Sequence, residues 1–452
     1  MIAETKNYPI NELRQCLENK DSDGIGRIVG DMHAADVGRV LSALDASEAV
    51  ELFKYLEPDL ASQVLLEIDE RLRKALISSI SSSELIEVVE EMETDDATDI
   101  ISELPVEDAR QVLDGIEKED SIELQKLLVY PSASAGGKMQ AELVAVTEDT
   151  TVEKTIEEVR RKAQDIENIS NVFVVDSAWR LKGVVNLDKL ILASPTTRII
   201  EIADTDPLKV STDMDQEEVA KIFQKYDLVT MPVIDKDGRL AGRITVDDVV
   251  DVIEEEIFED FYKMAGLHLE ARVLDPPMRS IWMRLPWLLI NLATAFLAAS
   301  VVRLFQDTIQ QYVILAVLMP IVAGMGGNAA TQTITIVVRG LALGELLPKN
   351  AARLIFKEAI VGLANGFITG VAASVIAYML GANIMIGLLL FLAMTANLII
   401  AGLSGSVIPL LLRWRKIDPA ISSSIFVTTC TDIGGFFTFL GLATVFMKTG
   451  IL

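Results

Sequence analysis

AIVGLANGFITGVAASVIAYMLGANIMIGLLLFLAMTANLIIAGLSGSVIPLLL, residues 359–412, contains no charged side chain. A helix crosses a bilayer with ~20 apolar residues, so this run is long enough for two crossings. Gly381-Ala382-Asn383 offers the turn between them, which predicts spans at about 356–380 and 384–412. Working outward, the uncharged interval between Arg284 and Arg303 predicts a span at 282–305, and that between Asp307 and Arg339 a span at 310–338. A fifth follows at 420–447, where Asp432 is the only charged residue. The membrane part is therefore residues 280–452, an all-α bundle of five helices in a lipid bilayer. Buried helices of a water-soluble protein would not leave runs this long without charge.

Charge divides the chain at the same place. Of its 452 residues half are hydrophobic, yet the net charge is −26. Residues 280–452 hold 10 Lys+Arg and 5 Asp+Glu, which leaves 30 and 61 for residues 1–279. The acidic front argues against a nucleic-acid partner, whose phosphates attract Lys/Arg surfaces. It is compatible with simple solubility or with cation binding by carboxylates. Basic residues flank the spans on one side: Arg279 and Arg284, then Arg339, Lys349, Arg353 and Lys357, then Arg413, Arg415 and Lys416. The other side has Arg303 and Lys448. The positive-inside rule then puts the front in the cytoplasm and the C-terminus outside, in a multi-pass protein of the cell membrane. Met1 to Gln15 has no apolar h-region, so no cleaved signal is expected.

Two features of the spans point to a pathway. Asp432 falls roughly midway through a ~30 Å apolar core, where a carboxylate is costly and normally faces a bundle interior or a water-filled cavity. The alternative is an Asp bonded to a neighbouring helix or to Thr428, Thr429 or Thr431. The second feature is Gly324-Met325-Gly326-Gly327-Asn328 after Pro320. Such glycines allow tight helix packing or a local break whose carbonyls face a cavity. Asn328 beside them favours the cavity.

The front carries an internal repeat at a constant offset of 59: Val174-Val175-Asp176 with Val233-Ile234-Asp235, Arg180-Leu181 with Arg239-Leu240, Gly183 with Gly242, and Asp188 with Asp247. Each copy reads as helix (155–164 and 216–226), strand, turn, strand, helix. The pair resembles tandem CBS domains, a Bateman module, with unit 1 at 132–195 and unit 2 at 196–246. That resemblance implies an α/β module and admits either a structural role or binding of ATP or another adenine nucleotide. Thr245 and Asp248 match the family's Thr-x-x-Asp element; Asn186 replaces the Thr in the first copy.

Residues 1–130 show short helical stripes such as Val37, Val40, Leu41 and Leu44, which predict an all-α superhelical stack. Glu93-Thr94-Asp95-Asp96 with Asp99 is its densest acidic stretch, readable as a helix N-cap or as a site. Between the repeat and the membrane, residues 247–270 read as an acidic connecting helix. Asp247, Asp251, Glu255 and Glu259 recur every fourth residue and make one stripe. Gly266 suits its stop and Pro276-Pro277 a stiff link to the first span.

Pro320-Ile-Val-Ala-Gly-Met-Gly-Gly-Asn328-Ala-Ala-Thr-Gln332, Arg339-Gly-Leu-Ala, Ile417-Asp418-Pro419-Ala420 and Thr428-Thr-Cys-Thr-Asp432-Ile-Gly-Gly-Phe-Phe resemble the MgtE family of magnesium channels. The order of parts agrees over nearly the whole chain. The resemblance implies a homodimer with a pore on its two-fold axis, in which Asp432 selects the ion and Asn328, Gly326 and Gly327 shape the path. It implies that the helix from Asp247 is a plug, closed by cytosolic Mg2+. Asp248, Asp251 and Glu259 would share ions with Asp418. Glu217, Asp227 and Glu256 would act between CBS units, and Asp95, Asp96 and Asp99 between N-domain and CBS; Asp247 and Glu255 complete the acidic stripe.

The expected function is Mg2+ uptake gated by cytosolic Mg2+. A proton- or sodium-coupled carrier of divalent cations is the alternative, disfavoured because the chain lacks a second intramembrane carboxylate or His and shows no clear inverted repeat. A membrane-tethered nucleotide sensor is a third class. An enzyme is not expected: there is no P-loop and no nucleophile–base pair, and the histidines are His33 and His268 alone.

Overall fold

The computed structural model describes residues 8–450 except 165, 167, 268–270, 272, 274, 347 and 422, so His268 lies outside the described residues. The chain forms two compact units, residues 1–253 and 254–452.

The first unit begins with short helices from Ile10–Asn19 to Lys118–Leu127. Several are started by local chemistry. Ser81 with Glu84 and Asp45 with Glu48 form capping boxes, and Pro58 opens the helix Pro58–Leu66. Alternate helices pack together: Ala34–Ala43 on Pro58–Leu66, that on Ser82–Glu90, and that on Val106–Gly115. A single apolar core runs through the stack from Leu13 to Leu124, as the apolar stripes predict.

The repeat folds into two three-stranded sheets. In the first, β1 (Ala145–Thr147) runs parallel to β2 (Asn171–Val175), which pairs antiparallel with β3 (Leu181–Asn186). In the second, β4 (Val210–Ser211), β5 (Thr230–Ile234) and β6 (Leu240–Thr245) repeat that order. Val174 faces Gly183, as Val233 faces Gly242, so the sequence offset is a register identity. The structure also gives the reason for the repeated glycines. A Cβ on Gly183 would stand 2.8 Å from the Asp204 carbonyl oxygen, and one on Gly242 2.6 Å from that of Gln140. A backbone segment crosses each glycine, and the two copies exchange these segments. Gln140 pairs with Arg243 of the second sheet and Asp204 with Val184 of the first. The divide at 195/196 is thus drawn through interleaved chains, because linear sequence carries no sign of the exchange.

The connecting helix is Val246–Met264, shorter than the expected 247–270, and Gly266 follows it at φ +70° as a left-handed stop. Among the described residues the second unit then has five helices long and apolar enough to span a membrane: Pro277–Leu304, Ile314–Ala342, Ala351–Met379, Ile384–Trp414 and Ser423–Lys448. The third and fourth pack most closely. Gly362, Gly366 and Gly370 recur every fourth residue, and a Cβ on Gly362 would come within 2.5 Å of the Leu398 carbonyl oxygen. Small residues in one row let two helix backbones approach where lipid supplies no hydrophobic drive.

Candidate cation sites

The fifth helix presents Asp432 with its carboxylate partly exposed and met by no charged or hydrogen-bonding side chain among the described residues. Two of the three neighbouring hydroxyls are committed elsewhere: Thr429 Oγ1 donates to the Ile425 carbonyl at 2.7 Å and Thr431 Oγ1 to that of Thr428 at 2.8 Å. Neither Thr429 nor Thr431 therefore serves Asp432 as a donor. On the second helix, Gly324 and Asn328 lie one turn apart and are both exposed. Gly327 has open space beside it, whereas Gly326 is buried against Asn397. Within one chain, Gly326 is a packing residue and not a wall of an open path.

A second buried carboxylate lies in the membrane unit, contrary to the sequence reading. Glu358, only 4% exposed, sits inside the third helix; it accepts from Thr333 Oγ1 at 3.2 Å and pairs with Lys357 at 3.1 Å. Reading charges as span limits hid it, because Arg353, Lys357 and Glu358 all belong to the helix Ala351–Met379.

In the first unit the helix Thr94–Glu103 starts with its acidic residues pointed at the repeat. Glu93 occupies the cap position without a side-chain cap bond. The cap comes from elsewhere in the chain: Glu142 accepts from Thr94 N at 3.0 Å and from Thr94 Oγ1 at 2.8 Å, and Ala141 N donates back to Thr94 Oγ1 at 2.8 Å. Orphan N–H groups at a helix start favour such carboxylates. Glu93, Asp95 and Asp96 each offer an oxygen within 4.8 Å of the others, the one group among the described residues with metal-ligand spacing. Gln140 Nε2 bridges Glu93 at 2.8 Å to Asp248 at 3.3 Å. Lys138 reaches Asp99 at 3.3 Å. Asp95 Oδ1 is buried without a hydrogen-bond partner.

Crowding of like charge out of water sets the protonation here. Burial, then Glu142, pushes Glu93 up to about 7. Burial, then Asp248, pushes Asp96 up to about 7 and raises Asp95 well above the usual range. Burial lifts Asp248 to about 6 against the opposing bond from Thr245. Four carboxyls held together with an orphaned oxygen fit a hard divalent cation, which takes oxygen ligands.

Asp418 and Glu259, expected to share an ion, instead meet through Lys263. Its Nζ bonds Asp418 Oδ2 at 2.7 Å and also Glu259. Burial opposes that charge, but the bonds to Asp418 and Glu259 outweigh it and raise the ammonium's pKa above the ordinary lysine value. Ser424 Oγ also donates to the Met264 carbonyl at 2.7 Å, so the end of the connecting helix is tied to the start of the fifth span. Asp248 groups with the helix start at Thr94 through Gln140. Asp247, Asp251, Glu255 and Glu259 stand on the connecting helix as the stripe predicts, and Glu256 is on the same helix. Glu217 pairs with Lys221 at 2.9 Å, and Asp227 is the left-handed cap of the helix Gln216–Tyr226. Thr245 Oγ1 donates to Asp248 Oδ2 at 2.7 Å, closing the Thr-x-x-Asp element on itself. Glu142, Gln140, Lys138, Lys263 and Glu358 had no place in the sequence reading; apart from Lys263, one turn from Glu259, no local pattern marks them.

Comparison with known proteins agrees with this layout. Residues 319–442 match the MgtE divalent cation transporter domain, residues 32–133 the MgtE intracellular N domain, and residues 136–195 and 199–255 CBS domains. The magnesium transporter MgtE of Thermus thermophilus is 36% identical over 329 residues, 72% of this chain and 73% of that one. The Bacillus subtilis magnesium transporter MgtE is 32% identical over 330 residues, 73% of each. The solved cytosolic domain of the Mg2+ channel MgtE in complex with ATP superposes with TM-score 0.51 at 34% identity, covering 54% of this chain and 99% of that one. The soluble part of a magnesium transporter gives TM-score 0.50 at 29% identity, covering 55% and 97%. With these relatives, this arrangement of helical front, CBS pair and five apolar helices makes the chain a member of the MgtE family of divalent cation transporters.

Proposed function

We propose that the chain passes Mg2+ down its gradient into the cell, through a path on the two-fold axis of a homodimer, and that cytosolic Mg2+ closes that path. The observation that carries the transport reading is the unpartnered Asp432 carboxylate inside an apolar helix. Mg2+ dehydrates reluctantly and is held by one or two carboxylates with several waters retained. Two Asp432 groups facing each other across a symmetry axis, with Asn328 nearby, meet that need while letting the ion leave. The basic flanks of the spans support a cytosolic front and an external C-terminus.

Closure rests on the acidic junction. Glu93, Asp95, Asp96 and Asp248 repel one another until a cation arrives, and Asp95 Oδ1 waits for a ligand. Filling the junction would draw the N-domain and CBS module together, with Asp99, Asp247 and Asp251 adding to the field, and Glu217 and Asp227 taking cation sites between CBS units. ATP bound by the relative's cytosolic domain supports an adenine nucleotide at Thr245 and Asp248, which requires their mutual bond to open.

The test is Mg2+ flux into liposomes holding the full chain, with Mg2+ varied separately on each face. Inward flux that falls as Mg2+ rises on the front's side is expected. Glu358 favours a second reading, a proton- or sodium-coupled carrier. Flux that needs a proton or sodium gradient at fixed voltage would select it.

Lys263 bears on the closed state. It acts as a tethered monovalent cation between Glu259 and Asp418. Lys263→Met should leave the two acids for Mg2+ and lower the half-inhibiting Mg2+ by roughly fivefold, about 1 kcal/mol for a partly exposed pair. Inhibition curves on the front's side check this; a rise in the Mg2+ needed would mean that Lys263 is itself the strut that closes the path.

A further inference from the structure

The fourth helix carries none of the residues assigned to the ion path, yet one of its side chains separates the two helices that do. Asn397 is 0% exposed. Its Nδ2 donates to the Val322 carbonyl of the second helix at 2.8 Å. Its Oδ1 is buried without a partner. A Cβ on Gly326 of the second helix would stand 2.2 Å from Asn397 Nδ2, and a Cβ on Gly435 of the fifth 2.8 Å from the same atom. The carboxamide is therefore wedged between two glycines that have no side chain to yield.

Both glycines sit beside the path residues. Gly326 is two positions before Asn328, and Gly435 is three positions after Asp432, one helical turn away on the same face. The Val322 carbonyl is the one a regular helix gives to the Gly326 N–H, so the amide grips the second helix at the turn leading into Gly326-Gly327-Asn328. The bond to Val322 stabilises the packing, but it leaves the Asn397 oxygen buried without a partner. An unpaired buried acceptor is unfavourable, and elsewhere the same helix fills buried positions with leucine at Leu389, Leu390 and Leu398.

We propose that Asn397 is the positioning residue of the cation path: its amide, held between Gly326 and Gly435, fixes the gap between the second and fifth helices and so the placement of Asn328 relative to Asp432. This role rests on the transport reading above. A methyl on either glycine would collide with the Asn397 carboxamide, so the amide or the helices it touches must shift, and shortening Asn397 would open space between Gly326 and Gly435.

Complementation tests the wedge. Full-length Gly326→Ala, Asn397→Ala and the double variant are put in liposomes, and Mg2+ and Mn2+ fluxes are measured with thermal stability. Gly326→Ala should cut maximal Mg2+ flux at least tenfold. Asn397→Ala should shift the Mg2+/Mn2+ flux ratio by several-fold, an effect that loss of folded protein alone does not produce. In the double variant the alanine methyl enters the vacated space, so flux should return to within about threefold of wild type. The proposal is overturned if Asn397→Ala keeps the wild-type ion ratio. It is also overturned if the double variant regains thermal stability but not flux, or does no better than Gly326→Ala. Wild-type vesicles that carry no divalent flux defeat the transport reading itself, and this role with it.

Discussion

Asp432→Ala should abolish selective Mg2+ flux, by about 100-fold or more, while leaving the folded protein at least as stable as the wild type. The two halves of that expectation come from one fact. The Asp432 carboxylate meets no hydrogen-bonding or ionic partner among the described side chains, and the Thr429 and Thr431 hydroxyls already bond their own helix. Removing it therefore orphans nothing. A carboxylate near the centre of an apolar helix costs about 2.5–3.5 kcal/mol on insertion scales, so alanine should relieve strain on the fold. The same charge is what a hydrated divalent cation meets, and losing roughly 3 kcal/mol of that attraction corresponds to about 100-fold. Flux assays and thermal melts on the same preparation check both halves. A variant that is destabilised and inactive would point to a structural Asp432, and one with undiminished selective flux would remove it from the path.

Much of the membrane unit is written in the sequence because bilayers impose a length. The charge-free runs predict all five helices, but their ends shift by a few residues. Arg339 lies inside the second helix and Arg413 inside the fourth. Long basic side chains keep their stems on apolar surface while the charge reaches water, so a charge does not mark a helix end. The same assumption concealed Glu358. In the front, the offset-59 repeat foretells the sheets, while the purpose of Gly183 and Gly242 emerges only once the exchanged segments are seen crossing them. Asp95 and Asp96 stand out as a dense acidic stretch. Their setting does not, since Glu142 is 48 positions from Thr94 and Gln140 is 108 from Asp248. Asp418 and Lys263 are 155 apart. Period and spacing report on neighbours along a helix or strand, and carry nothing about partners so distant. Asn397 is hidden for a further reason: an apolar run gives no sign of which glycines on other helices will face it.

The junction also has a pH signature whose sign is fixed by its crowding. Glu93 and Asp96 titrate at about 7 in the folded protein and Asp248 at about 6, against ordinary values of 4.5, 3.8 and 3.8. Between the unfolded and folded values the folded state holds protons that the unfolded chain has released. Stability from these groups is thus greatest at acid pH and drains away as pH rises from about 4 through about 7. In chelator, the front should be less stable at pH 8 than at pH 5 by about 2–4 kcal/mol for the coupled set, allowing for its partial exposure. Mg2+ replaces the lost protons, so millimolar Mg2+ should recover most of that difference at pH 8 and do little at pH 5, where the carboxyls are already neutral. Asp95→Asn combined with Asp96→Asn should flatten both dependences, since amides neither repel nor need a counter-ion. Hydrogen exchange across residues 94–103, read at the two pH values with and without Mg2+, follows the junction directly. Protection that rises with pH in chelator, or a Mg2+ effect equal at pH 5 and pH 8, would mean that the carboxyls at the start of the helix Thr94–Glu103 are solvated independently and do not form the proton- and cation-sensing contact.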